Sequence, residues 1–166
     1  MKMQTRIALG AAAIALSLGS TAASAASASC WTQADVSAAK VRELQTRLMV
    51  AALRCRANGV NILASYNNFV AAGRTAITSA NQRLKTHFMA AGPVAGQRDY
   101  DRYTTALANA YGAAETGPES CAEASSLAAE AAAKGDLNEV AARTIPVATL
   151  PSAVCPANES VVLAAK

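Results

Sequence analysis

The sequence predicts an all-α fold: a disulfide-stapled, up-down four-helix bundle. It is read as a long antiparallel helical hairpin plus two to three shorter helices, closed by an extended Pro-containing C-terminal tail. Three observations predict it. Cys30 to Cys55 (CWTQADVSAAKVRELQTRLMVAALRC) is one amphipathic segment with a cysteine at each end. The chain has four cysteines, an even number behind what reads as an export leader, which favours two disulfides over metal or redox chemistry. Pro146, Pro151 and Pro156 punctuate the C-terminal stretch, where a helix cannot continue.

The leader reading rests on Lys2 and Arg6, the short apolar run Ile7 to Leu18, and the small residues Ala23-Ser24-Ala25. Cleavage is expected before Ala26, with Ala28 as an alternative. Residues 1–25 are thus read as a signal peptide, 26–145 as the bundle and 146–166 as a tail packed on it. Neither the leader nor any later stretch reaches the ~20 apolar residues of a membrane-spanning helix. The mature chain is therefore expected to be periplasmic or secreted, without a transmembrane span.

The first helix opens at Thr32, where Asp35 completes a capping box, and stops at Asn58-Gly59. Val41, Leu44, Leu48, Ala51 and Cys55 form its seam, and Leu48 to Leu53 is apolar all round, which predicts several covering neighbours. Lys40, Arg47 and Arg54 repeat every seven residues on another face, with Glu43 placed to pair with Arg47. A second helix is expected from Asn61 to Ala90, with Gly73 in its seam as a point of close approach. A loop through Pro93 leads to a third helix over Gln97 to Ala114, whose apolar face is Tyr100, Tyr103, Leu107 and Tyr111. The fourth runs from Glu119 to Lys134, and Asp136 caps a short fifth over Leu137 to Thr144. Val147, Leu150 and Val154 are expected to lay the tail along the bundle, and Glu159 to Lys166 to add a frayed turn.

An up-down order predicts the disulfides. Cys55 and Cys121 fall at one end of the bundle, and the returning tail brings Cys155 to Cys30 at the other. Pairing Cys30 with Cys55 is excluded, because the straight helix between them holds them about 37 Å apart. Charge is divided: Gln33 to Gly92 holds eight Lys/Arg against two Asp/Glu, and Gln97 to Lys166 holds five against nine. The expected use of this asymmetry is attraction between the halves. The sharper alternative is a basic docking stripe, Lys40, Arg47 and Arg54, for an envelope protein with an acidic surface.

Candidate chemistry is sparse. His87 is the only histidine and has no evident nucleophile beside it, so a structural role is preferred to a general base. Asp99 and Asp101 point some 200° apart on a helix and cannot share a site, whereas Asp99 can reach Arg102. The best candidate binding patch is the polar line Asn67, Arg74 and Asn81 flanked by Tyr66 and Tyr111. Trp31 reads as packing beside a disulfide, with its indole N–H at the surface. Met49, Met89, Phe69 and Phe88 are either core or the lining of an interhelical pocket. No catalytic residue, metal site or cofactor is assigned. Haem, P-loop and Rossmann motifs are lacking, and aromatic content of 4% argues against nucleic acid. Asn158-Glu159-Ser160 matches a glycosylation sequon. The functional expectation is an exported, non-catalytic bundle acting by protein binding or structurally. A carrier of a small apolar ligand is the alternative, and an unusual hydrolase through His87 is third.

Overall fold

The computed structural model describes residues 30–156; the expected leader, the sequon and the C-terminal turn lie outside them. The described residues form six helices: α1 (Gln33–Ala57), α2 (Leu63–Ala72), α3 (Arg74–Met89), α4 (Pro93–Gly112), α5 (Pro118–Lys134) and α6 (Leu137–Thr144). A strap of extended chain, 145–156, follows. α1 is the central strut and packs against each of the other five helices.

Local chemistry sets the ends of α1. The Thr32 hydroxyl accepts the Asp35 N–H at 3.2 Å, while Asp35 Oδ2 accepts the Thr32 N–H at 3.0 Å. That reciprocal box satisfies two donors the helix itself cannot. At the other end Gly59 takes φ +81°, Val60 N–H returns to Cys55 O at 2.8 Å and Gly59 N–H to Arg56 O at 3.1 Å. This Schellman turn reverses the chain into α2. Val41, Leu44, Leu48 and Cys55 are buried as the seam predicts, but the all-round cover stops short of Leu53, which stays 64% exposed.

The expected second helix is two. A bend at Gly73 separates α2 from α3, although Gly73 N–H still reaches Phe69 O and Ile77 N–H still reaches Gly73 O. The bend lets α2 lie chiefly on α5 while α3 lies on α1 and α4. A side chain at Gly73 would meet Leu137 of α6 at 3.0 Å, so the close approach expected there is made by a side chain of the last helix. Pro93 begins α4 rather than lying in a loop before it, because its missing N–H is one the first helical turn leaves unpaired anyway. α4 crosses the end of α3 at Gly96, where a Cβ would stand 2.4 Å from Phe88 O.

Two disulfides staple the bundle, Cys30–Cys155 and Cys55–Cys121, the pairs that the up-down order requires. Of the three strap residues expected on the bundle, Leu150 packs half-buried against the core, whereas Val154 is 41% exposed. Ile145 and Ala148 are buried, whereas Val147 is 82% exposed. Backbone anchors decide this: Lys40 Nζ donates to Pro146 O at 3.0 Å, and Glu43 accepts the Thr149 N–H at 2.8 Å. Trp31 then pairs with the strap as an isolated parallel bridge, Trp31 N–H to Ala153 O at 2.9 Å and Cys155 N–H to Trp31 O at 2.8 Å.

The oppositely charged halves do not meet through ion pairs. Each of the six ion pairs among the described residues joins groups of the same half, such as Arg83 with Asp35 or Arg143 with Glu130. The halves are joined instead by single charges on neutral partners, Glu43 on Tyr111 and Arg54 on the carbonyls that end α4.

Candidate functional site

Four elements converge where α1 begins: the end of α3, the first half of α4, Trp31, and the strap. Their aromatic residues cluster. Trp31 stacks on His87 with ring centroids 4.3 Å apart, and Phe88 meets Trp31, Tyr100 and Tyr103 at 5.7, 5.7 and 5.4 Å. Trp31 is wholly buried, contrary to the surface indole expected, and its N–H is satisfied by the strap, donating to Ser152 Oγ at 3.1 Å. Sequence spacing could not foresee that partner, 121 residues away.

Beside this cluster is a cleft of 530 Å³. Trp31, His87 and Phe88 form one wall, Tyr103 and Ala106 of α4 the other, and Thr149 to Ser152 of the strap lie across it, with Asp99 and Arg102 also lining it. The Tyr103 hydroxyl is buried and has no hydrogen-bond partner. Burial pushes its phenol far above the ordinary range, and the nearby Glu43 carboxylate adds to the rise. A buried hydroxyl without a partner is uncommon.

His87 divides this cleft from an open polar groove of 780 Å³ that holds Thr32, Asp35 and Arg83. There Asp35 is 4% exposed and gathers four contacts: the Thr32 amide and hydroxyl at 3.0 and 2.6 Å, Arg83 Nε at 2.7 Å, and His87 Nδ1 at 3.4 Å. Burial alone would raise the Asp35 carboxyl. The hydrogen bonds from Thr32 and Arg83, and the guanidinium charge, outweigh it and hold the group below its ordinary value. The same acid therefore caps α1 and ties α3 to it. The capping box was legible in the sequence, but the Arg83 and His87 contacts were not.

The basic stripe does not present a free face. Lys40 is tied to the strap, and Arg54 donates to Thr116 Oγ1 at 2.6 Å and to Gly112 O and Ala114 O. A cation there suits the negative end of α4 and satisfies carbonyls that have no helical partner. Arg47 is half-buried and lines a 290 Å³ pocket with Arg54 and Tyr111. Glu43 does not pair with Arg47. It is 5% exposed and accepts from the Tyr111 hydroxyl at 2.9 Å and from Thr149.

The polar line is also dispersed. Asn67 and Arg74 are exposed on either side of the Gly73 bend, and Asn81 accepts a long 3.5 Å contact from Arg42. Tyr66 packs near Phe69, while Tyr111 belongs to the Glu43 and Arg47 neighbourhood. Of the four residues expected to line an apolar pocket, only Phe88 borders the cleft; Phe69 is core, and Met49 and Met89 are half-buried elsewhere. Asp99 does reach Arg102, at 3.2 Å. No helix of the described residues is long and apolar enough to cross a membrane, and they hold no cluster of metal-ligating side chains. No family model, curated protein or solved structure matches the chain.

Proposed function

We propose that this chain is an exported, periplasmic or secreted protein that binds a small apolar ligand in the cleft beneath the strap, without catalysing a reaction. The cleft carries the proposal. Its 530 Å³ suits a small molecule, and its walls are mostly aromatic and aliphatic. Export is supported by the leader-like N-terminus and by two disulfides, which persist in oxidising compartments. Docking of an acidic protein on the basic stripe has lost its main support, since Lys40 and Arg54 are engaged within the bundle.

Native mass spectrometry of protein purified from its own envelope tests the reading. The expected result is a retained small-molecule mass that disappears in Ala106→Phe, which fills the cleft from the exposed side of α4. A bare mass accompanied by a co-purifying protein overturns it in favour of protein binding.

The hydrolase reading keeps two supporting observations: His87 Nδ1 stands 3.4 Å from Asp35, and Ser152 borders the same cleft as His87. An ester-cleaving activity unchanged by His87→Ala ends it.

A further inference from the structure

We infer that the Cys30–Cys155 disulfide is a reducible latch: a dithiol reductant opens it selectively in the folded chain, frees the end of the strap and uncovers Trp31. The latch is independent of the ligand reading and works whether or not the cleft is filled.

The two disulfides differ in their surroundings. Cys55 borders the small pocket of Arg47 but is only 1% exposed, and Cys121 is 0% exposed; their bond ties α1 to α5 within the core. Cys30 and Cys155 are each half-buried, and Cys30 lines the open polar groove beside His87. Thiol–disulfide exchange requires an incoming thiolate to reach a sulfur, so access separates the two pairs.

Beyond Thr149 the strap has little else to hold it. Leu150 is half-buried against the core, while Pro151, Ser152, Ala153 and Val154 are exposed. Three hydrogen bonds tie this end to Trp31: its N–H to Ala153 O at 2.9 Å, Cys155 N–H to its carbonyl at 2.8 Å, and its indole N–H to Ser152 Oγ at 3.1 Å. Such bonds contribute little net free energy, and a segment with few buried apolar contacts opens locally at low cost. The covalent bond is its main fastening. The Lys40 and Glu43 anchors lie upstream, at Pro146 and Thr149, so they keep the strap's first part in place. Leu150, Pro151 and Ser152 line the cleft, and their departure opens it.

The exchange balances. A thiolate of the reductant attacks Cys30 Sγ, forms a mixed disulfide and expels Cys155 as a thiolate, which takes up a proton. The reductant's second thiol then closes its own disulfide and expels Cys30, which is protonated in turn. Two electrons and two protons pass from the dithiol to the protein.

The full folded chain is treated with dithiothreitol, quenched at intervals with iodoacetamide and peptide-mapped. Emission of Trp31, the only tryptophan, and amide exchange are followed in parallel. Cys30 and Cys155 should be reduced at least about tenfold faster than Cys55 and Cys121. Over the same time course Trp31 emission should shift to the red, and the Trp31 and Cys155 amides should lose protection while the Thr149 amide keeps it. Cys30→Ser combined with Cys155→Ser should show the reduced spectrum without reductant; if that variant does not fold, the wild-type time course decides alone. Reduction of all four cysteines together overturns the inference, because it then waits on global unfolding. So does selective reduction that leaves Trp31 emission and the two amides unchanged, since the hydrogen bonds would then hold the strap by themselves. No readout involves a ligand, so failure here leaves the cleft reading as it stands.

Discussion

Glu43 Oε2 accepts the backbone N–H of Thr149 at 2.8 Å across 106 residues of chain. Together with the Lys40 contact to Pro146 O it anchors the strap on α1, and the second Glu43 oxygen accepts from both Thr149 Oγ1 and the Tyr111 hydroxyl. A buried carboxylate with three donors is satisfied, and its loss leaves those donors desolvated without an acceptor. Glu43→Ala should therefore lower stability by about 3 kcal/mol, and Glu43→Gln by about 1 kcal/mol since one acceptor oxygen survives. Urea unfolding measures both. Hydrogen exchange at the Thr149 amide should accelerate more than at Leu44. Equal protection in wild type and Glu43→Ala would show that the strap is held by other means.

Asp35 makes stability depend on acid pH. Its carboxyl lies below the ordinary 3.8 in the folded chain, so the folded state binds that proton more weakly than the unfolded one. The resulting stabilisation is complete above 3.8 and is lost as pH falls through the lowered folded value. Asp35→Asn should be less stable at neutral pH and converge with wild type in strong acid. Thermal melts across the acid range check this, and parallel curves for the two proteins would refute it.

Tyr111 gives the opposite edge. Burial, the hydrogen bond to Glu43 and the carboxylate charge push its phenol from 10.0 up to about 12. A raised value stabilises the fold below pH 10, and that contribution fades as pH climbs towards 12. Phenolate absorbance should show a late-titrating component that Tyr111→Phe diminishes, with Tyr103 accounting for a still later part.

The crossing of α3 and α4 gives a packing test. A methyl group at Gly96 would meet backbone atoms, Phe88 O at 2.4 Å and Met89 Cα at 2.8 Å, which cannot rotate away. Gly96→Ala should cost about 2–3 kcal/mol through displacement of α4, and should also widen the cleft and blue-shift or quench Trp31 differently from wild type. Gly112→Ala is the control, because nothing lies within 4 Å of a Cβ there and helix propensity favours alanine by up to about 1 kcal/mol. Equal effects of the two substitutions would mean that the crossing is not tight.

Much of the fold was legible because it is written in local chemistry. Thr32 and Asp35, Asn58-Gly59 and Asp136 mark helix ends through contacts spanning a few residues, and the apolar spacing of α1 identifies its buried face. The site was much less legible. Glu43 sits four residues before Arg47, so a helix-surface ion pair was the natural local reading, yet its partners lie 68 and 106 residues away. Trp31 looked like surface packing because nothing nearby in sequence could hide it; the strap does so.

The division between the two follows from the range of the forces. By itself the sequence determined the helices, their caps and, through the alternation of their directions, which cysteines meet, because each depends on backbone hydrogen bonding within a turn and on the rigid length of a helix. Only the tertiary structure decided the bend at Gly73, the register of the strap and the cleft beneath it. Those depend on contacts made across the fold, Leu137 beside Gly73 and Thr149 on the buried Glu43 carboxylate, and neither has a sequence period. Lys40 and Arg54 illustrate the difference: their seven-residue repeat is a property of the helix, while what they bind is a property of the packed chain.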